Sequence, residues 1–486
     1  MAHAPTTAEI KEDLSNVKPI PILAVLLSGA FVAILNETIL NVALQALWET
    51  WAVNSSTAQW LVTSYMLVIG ILIPISAYFI QRFTTRQLFI TAMTLFTLGT
   101  IVAGFSPTFA FLLIGRIVQA VGTAIMIPLL MNVILAVIPQ ERRGAAMGMM
   151  GLVIMFAPAI GPTVSGFIIE GLSWRWIFFL VIPIALFSLV FGYFVLKNVT
   201  KTSKPKLDLF SFLLSTIGFG GIVYGFSTAG KGDSSLADPI VIASLAAGFI
   251  GLAAFAFRQI KMKDPLLDLR VFRYPMFAFG LIIVMLVMMT MFALMLVLPI
   301  YMQSALLFTA IATGLIMLPG GIINGAMSPI MGEIFDKVGP RPIIIPGAIL
   351  LVITVFTYRF STPGVDEWIL AIQHIFVMVS VAMIMMPAQT NGLNHLPRHL
   401  YPHGTAIFNT LMQVSGAIGA AIFISIMETG RSNALSGIED PTAAQQIEAL
   451  TIGAQQSFSF GFIFAIIALV IALFIRSKKP KTTESE

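Results

Sequence analysis

Residues 20–44 read IPILAVLLSGAFVAILNETILNVAL, an apolar stretch in which Glu37 is the one charged residue. A bilayer core about 30 Å thick requires roughly 20 apolar residues in helical form, because a segment inside lipid must satisfy its own backbone hydrogen bonds. This stretch therefore predicts a membrane-spanning helix. It lacks a small-residue cleavage pattern, so we expect a retained helix and not a signal peptide.

The composition of the whole chain extends this prediction. Of 486 residues, 58% are hydrophobic and 10% are charged, whereas a soluble domain has about 25% charged residues. Apolar stretches of spanning length recur and predict fourteen helices at 20–44, 57–80, 87–105, 109–137, 144–169, 176–196, 208–229, 239–257, 275–299, 309–332, 341–358, 367–389, 404–427 and 456–475. The predicted fold class is an all-α polytopic membrane protein with fourteen transmembrane helices.

The basic connectors at 197–207 and 258–274 divide these helices into groups of six, two and six. The outer segment 428–455 is the only long polar insertion, and we expect it to be partly helical around Ala443 to Leu450. The predicted order is a cytoplasmic N-terminal segment at 1–19, a six-helix bundle at 20–196, two inserted helices with their connectors at 197–274, a second, pseudo-symmetric six-helix bundle at 275–475 and a cytoplasmic tail at 476–486.

The distribution of basic residues predicts the orientation. Of 27 Lys and Arg residues, 22 fall in loops on the side of the N-terminus, 4 fall on the opposite side, and Arg116 lies inside the fourth span. Because cytoplasmic loops carry the excess of Lys and Arg, both termini are predicted to be cytoplasmic. All 6 tryptophans fall at outer loops or helix ends, as expected for residues that favour the membrane interface.

Several kinds of chemistry are excluded by what the sequence lacks. The chain has no cysteine, so disulfides and thiolate metal sites are ruled out. It has no G-x-x-x-x-G-K-[ST] motif for ATP binding. His395, His399 and His403 repeat every four residues, but Pro397 and Pro402 interrupt that helix, so we expect no metal site. We also expect no cofactor. A nucleic-acid partner is not expected either, since the placement of the basic residues explains the net charge of +5.

Five motifs occur in order along the chain. They are LNETILNVAL at 35–44, RxxQAxG at 116–122, APAIGPxxxG at 157–166, GxxxDKxGPR at 332–341 and HGTA at 403–406. With the six, two, six layout, they resemble the fourteen-helix drug:proton antiporters of the major facilitator superfamily, the EmrB/QacA type, and within it the lincomycin-resistance exporters. Four positions depart from that pattern: Asn36 and Gln81 stand where the family has acids, and Ser76 and Thr84 stand where it has glycines.

The resemblance implies a proton-coupled multidrug efflux antiporter in a bacterial-type plasma membrane that works by alternating access. We expect a monomer without enzymatic activity, whose partners are small lipophilic substrates, protons and the lipid bilayer. Having no second deep acid, it should prefer neutral or monocationic compounds. Two alternatives stay open: an exporter of a lipid or a dedicated metabolite on the same scaffold, and a non-transporting membrane scaffold or membrane enzyme.

Glu37 is the one acid of 22 that the predicted spans place deep in the bilayer, roughly 22 Å from the cytoplasmic edge of a core about 30 Å thick. A charge there costs about 2.5–3.5 kcal/mol and usually marks an ion or proton pathway. Arg116 is the only deep base and the predicted charge partner of Glu37. Apolar surroundings favour the neutral carboxyl, and water or a cation favours the ionised one, so Glu37 can load and release a proton. Alternatively, the pair only holds helices together, or Glu37 sits in a wet vestibule. Arg116 has a structural alternative of its own, in which backbone carbonyl groups satisfy the guanidinium.

Two further sets of residues are predicted to serve transport. The expected substrate-contacting residues are polar groups in otherwise apolar helices: Asn36, Thr38, Asn41, Gln45, Gln119, Asn324, Gln373, His374, Asn409 and Gln413. The residues expected to control conformation are Pro158, Gly161, Pro162 and Gly166, as a hinge or seal in the fifth span, and Gly332, Asp336, Gly339 and Arg341, as the loop after the tenth. Ordinary kinking of a membrane helix is the alternative for the fifth span.

Overall fold

A computed structural model describes the chain over residues 19–51, 53, 55–199, 202, 208–229, 238–263, 265–362, 364–438 and 440–476. Within the helices, the description leaves out the side chains of 41–46, 48, 49, 55, 56, 59, 159, 162, 163, 166, 167, 169–171, 227, 293 and 310. Most of the two predicted cytoplasmic end segments, 1–18 and 477–486, therefore lies outside the described residues.

Long helices and no strands make up the described part of the chain. Their bounds are α1 Pro19–Trp51, α2 in two segments, Ser55–Leu72 and Ser76–Arg82, α3 Thr85–Gly104, α4 Phe109–Val137, α5 Arg143–Gly171, α6 Trp176–Val195, α7 Leu209–Ala229, α8 Pro239–Lys261, α9 Pro275–Ile300, α10 Ala310–Val338, α11 Arg341–Tyr358, α12 Glu367–Asn394, α13 Tyr401–Leu435 and α14 Ala443–Ala472. Within the described residues, thirteen are long and apolar enough to cross a membrane. The remaining helix, α5, has 29 residues and packs between α1 and α10. The predicted fold class is confirmed.

The same packing arrangement occurs twice. In the first six helices, α1 packs against α4, α5 and α6, and α3 packs against α4 and α6. In the last six, α9 packs against α12, α13 and α14, and α11 packs against α12 and α14. The contact of α2 with α4 is likewise repeated by α10 with α12. The two halves meet along α5 with α10 and along α2 with α13, while α7 packs on α8 and touches both α2 and α13.

Local signals explain where several helices begin and end. Thr84 and Gln87 form a capping box at the start of α3, and Thr442 and Gln445 form one at the start of α14. Such boxes satisfy backbone N–H groups that have no partner inside the helix. Because α13 continues to Leu435 before this second box, the outer insertion expected at 428–455 is mostly helical, and only 436–442 connects the two helices.

An ion pair joins the start of α7 to the end of α8. The Asp208 carboxylate accepts hydrogen bonds from Arg258 Nε at 2.7 Å and Nη2 at 3.0 Å, and from Ser211 Oγ. Chiefly because of the Arg258 hydrogen bonds, the pKa of Asp208 falls to about 2. Gln259 extends this network, since its Nε2 donates to Ser211 Oγ at 2.7 Å and its Oε1 accepts from the backbone N–H of Leu267 at 3.1 Å. The network fixes the connector that leads to α9.

We expect Asp208→Asn to lower the midpoint of thermal unfolding in detergent by about 1–2 °C at pH 7, since a pair near the surface contributes little. A carboxylate whose pKa is lowered by folding stabilises the protein above its unfolded pKa of about 4, and loses that effect as the pH falls through its folded pKa. The difference between variant and wild type should therefore shrink between pH 4 and the folded pKa of about 2. The variant Glu448→Gln, which removes an exposed carboxylate, serves as control. If the difference in unfolding midpoint between Asp208→Asn and wild type stays constant with pH, the ion pair of Asp208 with Arg258 does not stabilise the fold as described.

Candidate functional site

The deep acid and the deep base of the sequence lie near each other in the first half. Glu37 of α1 is half-buried, whereas its neighbours Leu35 and Asn36 are buried. Arg116 of α4 is 0% exposed. Glu37 lies within electrostatic range of both Arg116 and Tyr65 of α2. Three helices thus bring two opposite charges and a phenol to one place.

Neutral groups make the short contacts of Arg116. Its Nη1 donates to Gln119 Oε1 at 3.0 Å, its Nε donates to the carbonyl oxygen of Leu61 at 3.4 Å, and its Cζ lies 4.0 Å from the centre of the Tyr65 ring. Gln119 Nε2 in turn donates to Thr100 Oγ1 at 2.8 Å. The guanidinium is held by an amide, a carbonyl and an aromatic face, which keep its position without neutralising its charge.

Glu37 and Arg116 interact at a distance in this conformation. Among the described residues, ion pairs within 4.0 Å join Arg258 to Asp208, Arg270 to Asp268 and Arg431 to Glu428. Arg116 Nη2 is buried and has no hydrogen-bond partner in the described part of the chain. One donor of the guanidinium therefore stays available to a carboxylate, a water molecule or a ligand.

The other residues predicted in the first half differ in their burial and in their hydrogen-bond partners. Asn36 is fully buried, and neither its Oδ1 nor its Nδ2 has a partner among the described residues. Thr38 Oγ1 donates to the carbonyl oxygens of Ile34 and Leu35 and faces α5, where a Cβ on Gly161 would overlap it. Pro158 is half-buried in α5. The side-chain predictions for Asn41, Gln45, Pro162 and Gly166 fall outside the described residues.

The residues predicted in the second half do not all point to one site, because they contact different helices. Asn324 Nδ2 donates to Met378 O at 2.5 Å, and His374 packs against Gly320, so these two line the contact of α10 with α12. Gln373 Nε2 instead donates to Thr357 Oγ1 of α11 at 3.0 Å. Asn409 Nδ2 donates to Thr405 O at 2.8 Å and reaches Met131 Sδ of α4 at 2.9 Å, and Gln413 is half-buried on α13.

The halves are packed tightly at one end of the bundle. We call it the basic end, and it contains the loop residues 83–84, 138–142, 262–263, 265–274, 339–340 and 395–400. A Cβ on Gly144 of α5 would overlap Gly332 O of α10, and the converse also holds. Asp336 accepts hydrogen bonds from the backbone N–H groups of Gly144 at 2.8 Å and Ala145 at 2.9 Å. A carboxylate on a helix N-terminus is favoured by the helix dipole. Asp336 therefore fastens α10 to α5.

The two other residues predicted in this loop act within the second half. Gly339 has φ +82° and ends α10, a left-handed conformation that favours glycine. Arg341 Nη2 donates to the carbonyl oxygen of Leu473, the residue that follows α14, at 3.1 Å. Arg86 makes the matching contact in the first half, where its Nη2 donates to Tyr193 O of α6 at 2.7 Å.

Arg143 also joins the halves, although the sequence predicts no role for it beyond its charge. Its Nη1 donates to Oδ1 of Asn394, the last residue of α12, at 2.9 Å and to the hydroxyl of Tyr401, the first residue of α13, at 3.0 Å. Its Nε and Nη2 donate to the carbonyl oxygens of Ile138 and Leu135 at the end of α4. The one feature of the sequence that could have indicated this role is the position of Arg143, which is the first residue of the helix that carries the glycine and proline motif.

His403 occupies the second contact between halves at the basic end. Its Nδ1 accepts a hydrogen bond from the backbone N–H of Asp268 at 3.1 Å, so the neutral ring carries its proton on Nε2. This Nε2 lies 3.1 Å from the side-chain amide of Gln81 at the end of α2. Because a ring N–H donates, Gln81 must present its amide oxygen there. Gln81, at the family's acidic position, thus contacts the start of α13 as Asp336 contacts the start of α5.

Comparison with known proteins explains why the two halves repeat. The sequence model of the Major Facilitator Superfamily matches residues 26–420. The chain belongs to the major facilitator superfamily. It is a multi-pass membrane transporter and not an enzyme, so the predicted family and the expected lack of enzymatic activity are confirmed. Within the described residues, no three His, Asp or Glu side chains come together as metal ligands.

Superfamily relatives and solved structures align along most of the chain. The lincomycin resistance protein LmrB of Bacillus subtilis is 48% identical over 475 residues, which cover 98% of each chain. The protein of the same name from Listeria monocytogenes is 48% identical over 463 residues, 95% of this chain and 98% of that one. The crystal structure of the human organic anion transporter MFSD10 superposes with a TM-score of 0.67 at 12% identity, covering 93% of this chain and 99% of that chain. The proton:xylose symporter XylE gives a TM-score of 0.60 at 17% identity, with coverages of 94% and 96%.

Proposed function

We propose that the chain exports lipophilic neutral or monocationic drugs across a bacterial plasma membrane in exchange for protons, by alternating access and with both termini in the cytoplasm. Two relatives that are 48% identical over nearly their whole length are named for resistance to lincomycin, which supports drug export. The proposed organisation is the one predicted above, two six-helix bundles and two inserted helices.

The observation that carries the proton coupling is the placement of Glu37. It is the one carboxylate in the middle of a span among the side chains described, it is half-buried, and Arg116 and Tyr65 lie within electrostatic range. Apolar surroundings favour its neutral form, and the nearby guanidinium favours its ionised form. The two influences oppose each other, so a small change in hydration or in the distance to Arg116 moves a proton onto or off Glu37.

The contacts at the basic end support a cycle in which this end opens and closes. Asp336, Arg143 and His403 each bond across the halves there. In the proposed orientation, these contacts close the cytoplasmic side, and Glu37 takes a proton from outside as the substrate leaves. When the cytoplasmic side opens, Glu37 releases the proton inward, and its single negative charge can then pair with a singly cationic substrate, whereas a neutral substrate binds without that pairing.

Transport by the purified protein in liposomes tests this proposal. With an acidic lumen and a neutral exterior, we expect lincomycin or ethidium to accumulate inside while the lumen loses protons. One proton crossing 100 mV supplies about 2.3 kcal/mol, which corresponds to about a 50-fold gradient of a neutral substrate. Collapse of the pH gradient with nigericin should abolish accumulation, and protein-free liposomes give the background. Uptake that moves no protons, or that only runs downhill, would refute proton-coupled export.

A further inference from the structure

The second half has its own counterpart to the Arg116 site. Arg116 lies seven residues after Phe109, the first residue of α4, and His374 lies seven residues after Glu367, the first residue of α12. Since α2 packs on α4 as α10 packs on α12, these positions are equivalent in the two halves. His374 thus stands where the first half places its buried base.

The neighbour of each residue is equivalent as well. Tyr65 lies ten residues after Ser55, where α2 begins, and Gly320 lies ten residues after Ala310, where α10 begins. Arg116 stacks on the Tyr65 ring at 4.0 Å. His374 lies so close to Gly320 that a Cβ there would overlap its Cδ2. The imidazole therefore occupies space that glycine leaves open on α10.

Three buried polar atoms lie along this seam of α10 and α12 without partners. Thr313, Asn324 and His374 are 4%, 1% and 3% exposed, and their Oγ1, Oδ1 and Nδ1 atoms have no hydrogen-bond partner within the described residues. Thr313, Gly320 and Asn324 are spaced by seven and four residues, which places them on one face of α10. Asn324 Nδ2 donates to Met378 O, one turn beyond His374 on α12. We call Thr313, Asn324 and His374 the polar seam.

The chemistry of the polar seam favours a ligand that donates hydrogen bonds. The contact with Met378 O fixes the Asn324 amide, so its unpartnered atom is the acceptor oxygen. The Thr313 hydroxyl accepts as well as donates, and a neutral imidazole accepts through whichever nitrogen lacks the proton. A buried acceptor without a partner costs free energy, which a ligand's hydroxyl or ammonium group removes.

We propose that the polar seam is a substrate subsite that selects compounds bearing hydroxyl or amino groups over equally lipophilic compounds without hydrogen-bond donors. This inference rests on the proposed export function and adds the class of substrate. Sites with buried polar groups discriminate strongly against ligands that leave those groups unpaired, whereas apolar linings discriminate weakly. In this arrangement, Glu37 and Arg116 of the first half interact with the charge of the substrate, and the polar seam of the second half accepts hydrogen bonds from its hydroxyl or amino groups.

Binding of two lipophilic monocations to the purified protein tests the subsite. Ethidium carries two amino groups, and tetraphenylphosphonium carries no donor. We expect Thr313→Val and His374→Phe each to weaken ethidium binding by about 10-fold, the loss of one hydrogen bond, and to change tetraphenylphosphonium binding less than about 2-fold. The matched control is Thr354→Val, which is equally buried at 4% but whose hydroxyl already donates to Leu350 O at 2.8 Å.

Selective loss of ethidium binding in both variants, with Thr354→Val unchanged, supports the subsite. Equal weakening of both ligands indicates a structural role, and no change indicates that the seam holds only water; either result overturns the inference. Thr313→Val is nearly isosteric and decides the matter if His374→Phe does not fold. Because equilibrium binding needs no proton gradient, failure of proton coupling in the liposome assay is seen separately from failure of the subsite.

Discussion

Glu37→Gln should abolish accumulation of substrate driven by a pH gradient while leaving the binding of a neutral substrate in place. Glutamine keeps the size and hydrogen bonding of a protonated glutamate but cannot carry a proton across the membrane. Glu37 faces the field of Arg116 from the middle of α1, and the described spans place no second carboxylate at that depth. Liposome uptake of ethidium under an imposed pH gradient should fall by about 10-fold or more, since each proton supplies about 2.3 kcal/mol per 100 mV.

Two controls accompany this variant. Glu37→Asp retains a carboxylate and should keep part of the coupled uptake, whereas Glu448→Gln removes an exposed carboxylate on α14 and should behave as wild type. Exchange of labelled for unlabelled substrate, measured without a gradient, should persist in Glu37→Gln because it requires no proton. If Glu37→Gln, produced at normal levels, accumulates ethidium against its gradient as well as wild type does, Glu37 is not the coupling acid.

Gly144→Leu should prevent closure at the basic end and stop transport. A Cβ at this position would overlap Gly332 O and would lie 2.6 Å from Asp336 Oδ1 and 2.7 Å from Phe335 Cδ1, all on α10. Since two of these atoms belong to backbone or to a capping carboxylate, the halves must separate. Overpacking of this kind costs about 1–3 kcal/mol, and about 1.4 kcal/mol shifts an equilibrium tenfold. We expect export to fall by about 10-fold or more.

Labelling of an introduced thiol measures the predicted opening directly. The chain contains no cysteine, so Ser328→Cys, in a residue 2% exposed beside Gly148 and Gly151 of α5, provides a single reporter. A membrane-impermeant maleimide applied at the basic end should label it faster in the Gly144→Leu background than in the wild type. Gly314→Leu is the control, since nothing lies within 4 Å of a Cβ there. Normal export with a protected reporter would show that this contact does not govern closure.

Much of the fold was predictable because lipid imposes it. The length of each apolar stretch fixes a span, and the capping box at Thr84 and the glycine at Gly339 mark helix ends through local chemistry. The nearness of Glu37 to Arg116 was also predictable, since an isolated charge in lipid needs an opposite charge. In the predicted outer insertion, the helix expected around Ala443 to Leu450 is present as the start of α14, whereas the polar composition did not indicate that α13 continues to Leu435.

Contacts between the halves were not predictable in the same way. Arg143 reaches Asn394, 251 residues away in sequence, and Gln81 reaches His403, 322 residues away. Such pairs depend on how two complete bundles dock, and no local spacing encodes that docking. Similarly, the sequence shows Gln373 and His374 side by side, whereas the helix turns one towards Thr357 and the other towards Gly320.

The position of α7 has a consequence for how molecules dissolved in the bilayer reach the transporter. On one side, Val223 of α7 fills the space above Gly70 of α2; on the other, Ala229 packs in one cluster with Ala421 of α13. Helix α7 therefore covers the lateral groove between α2 and α13. Under the proposed function, a substrate dissolved in the bilayer would therefore enter between α5 and α10 and not between α2 and α13.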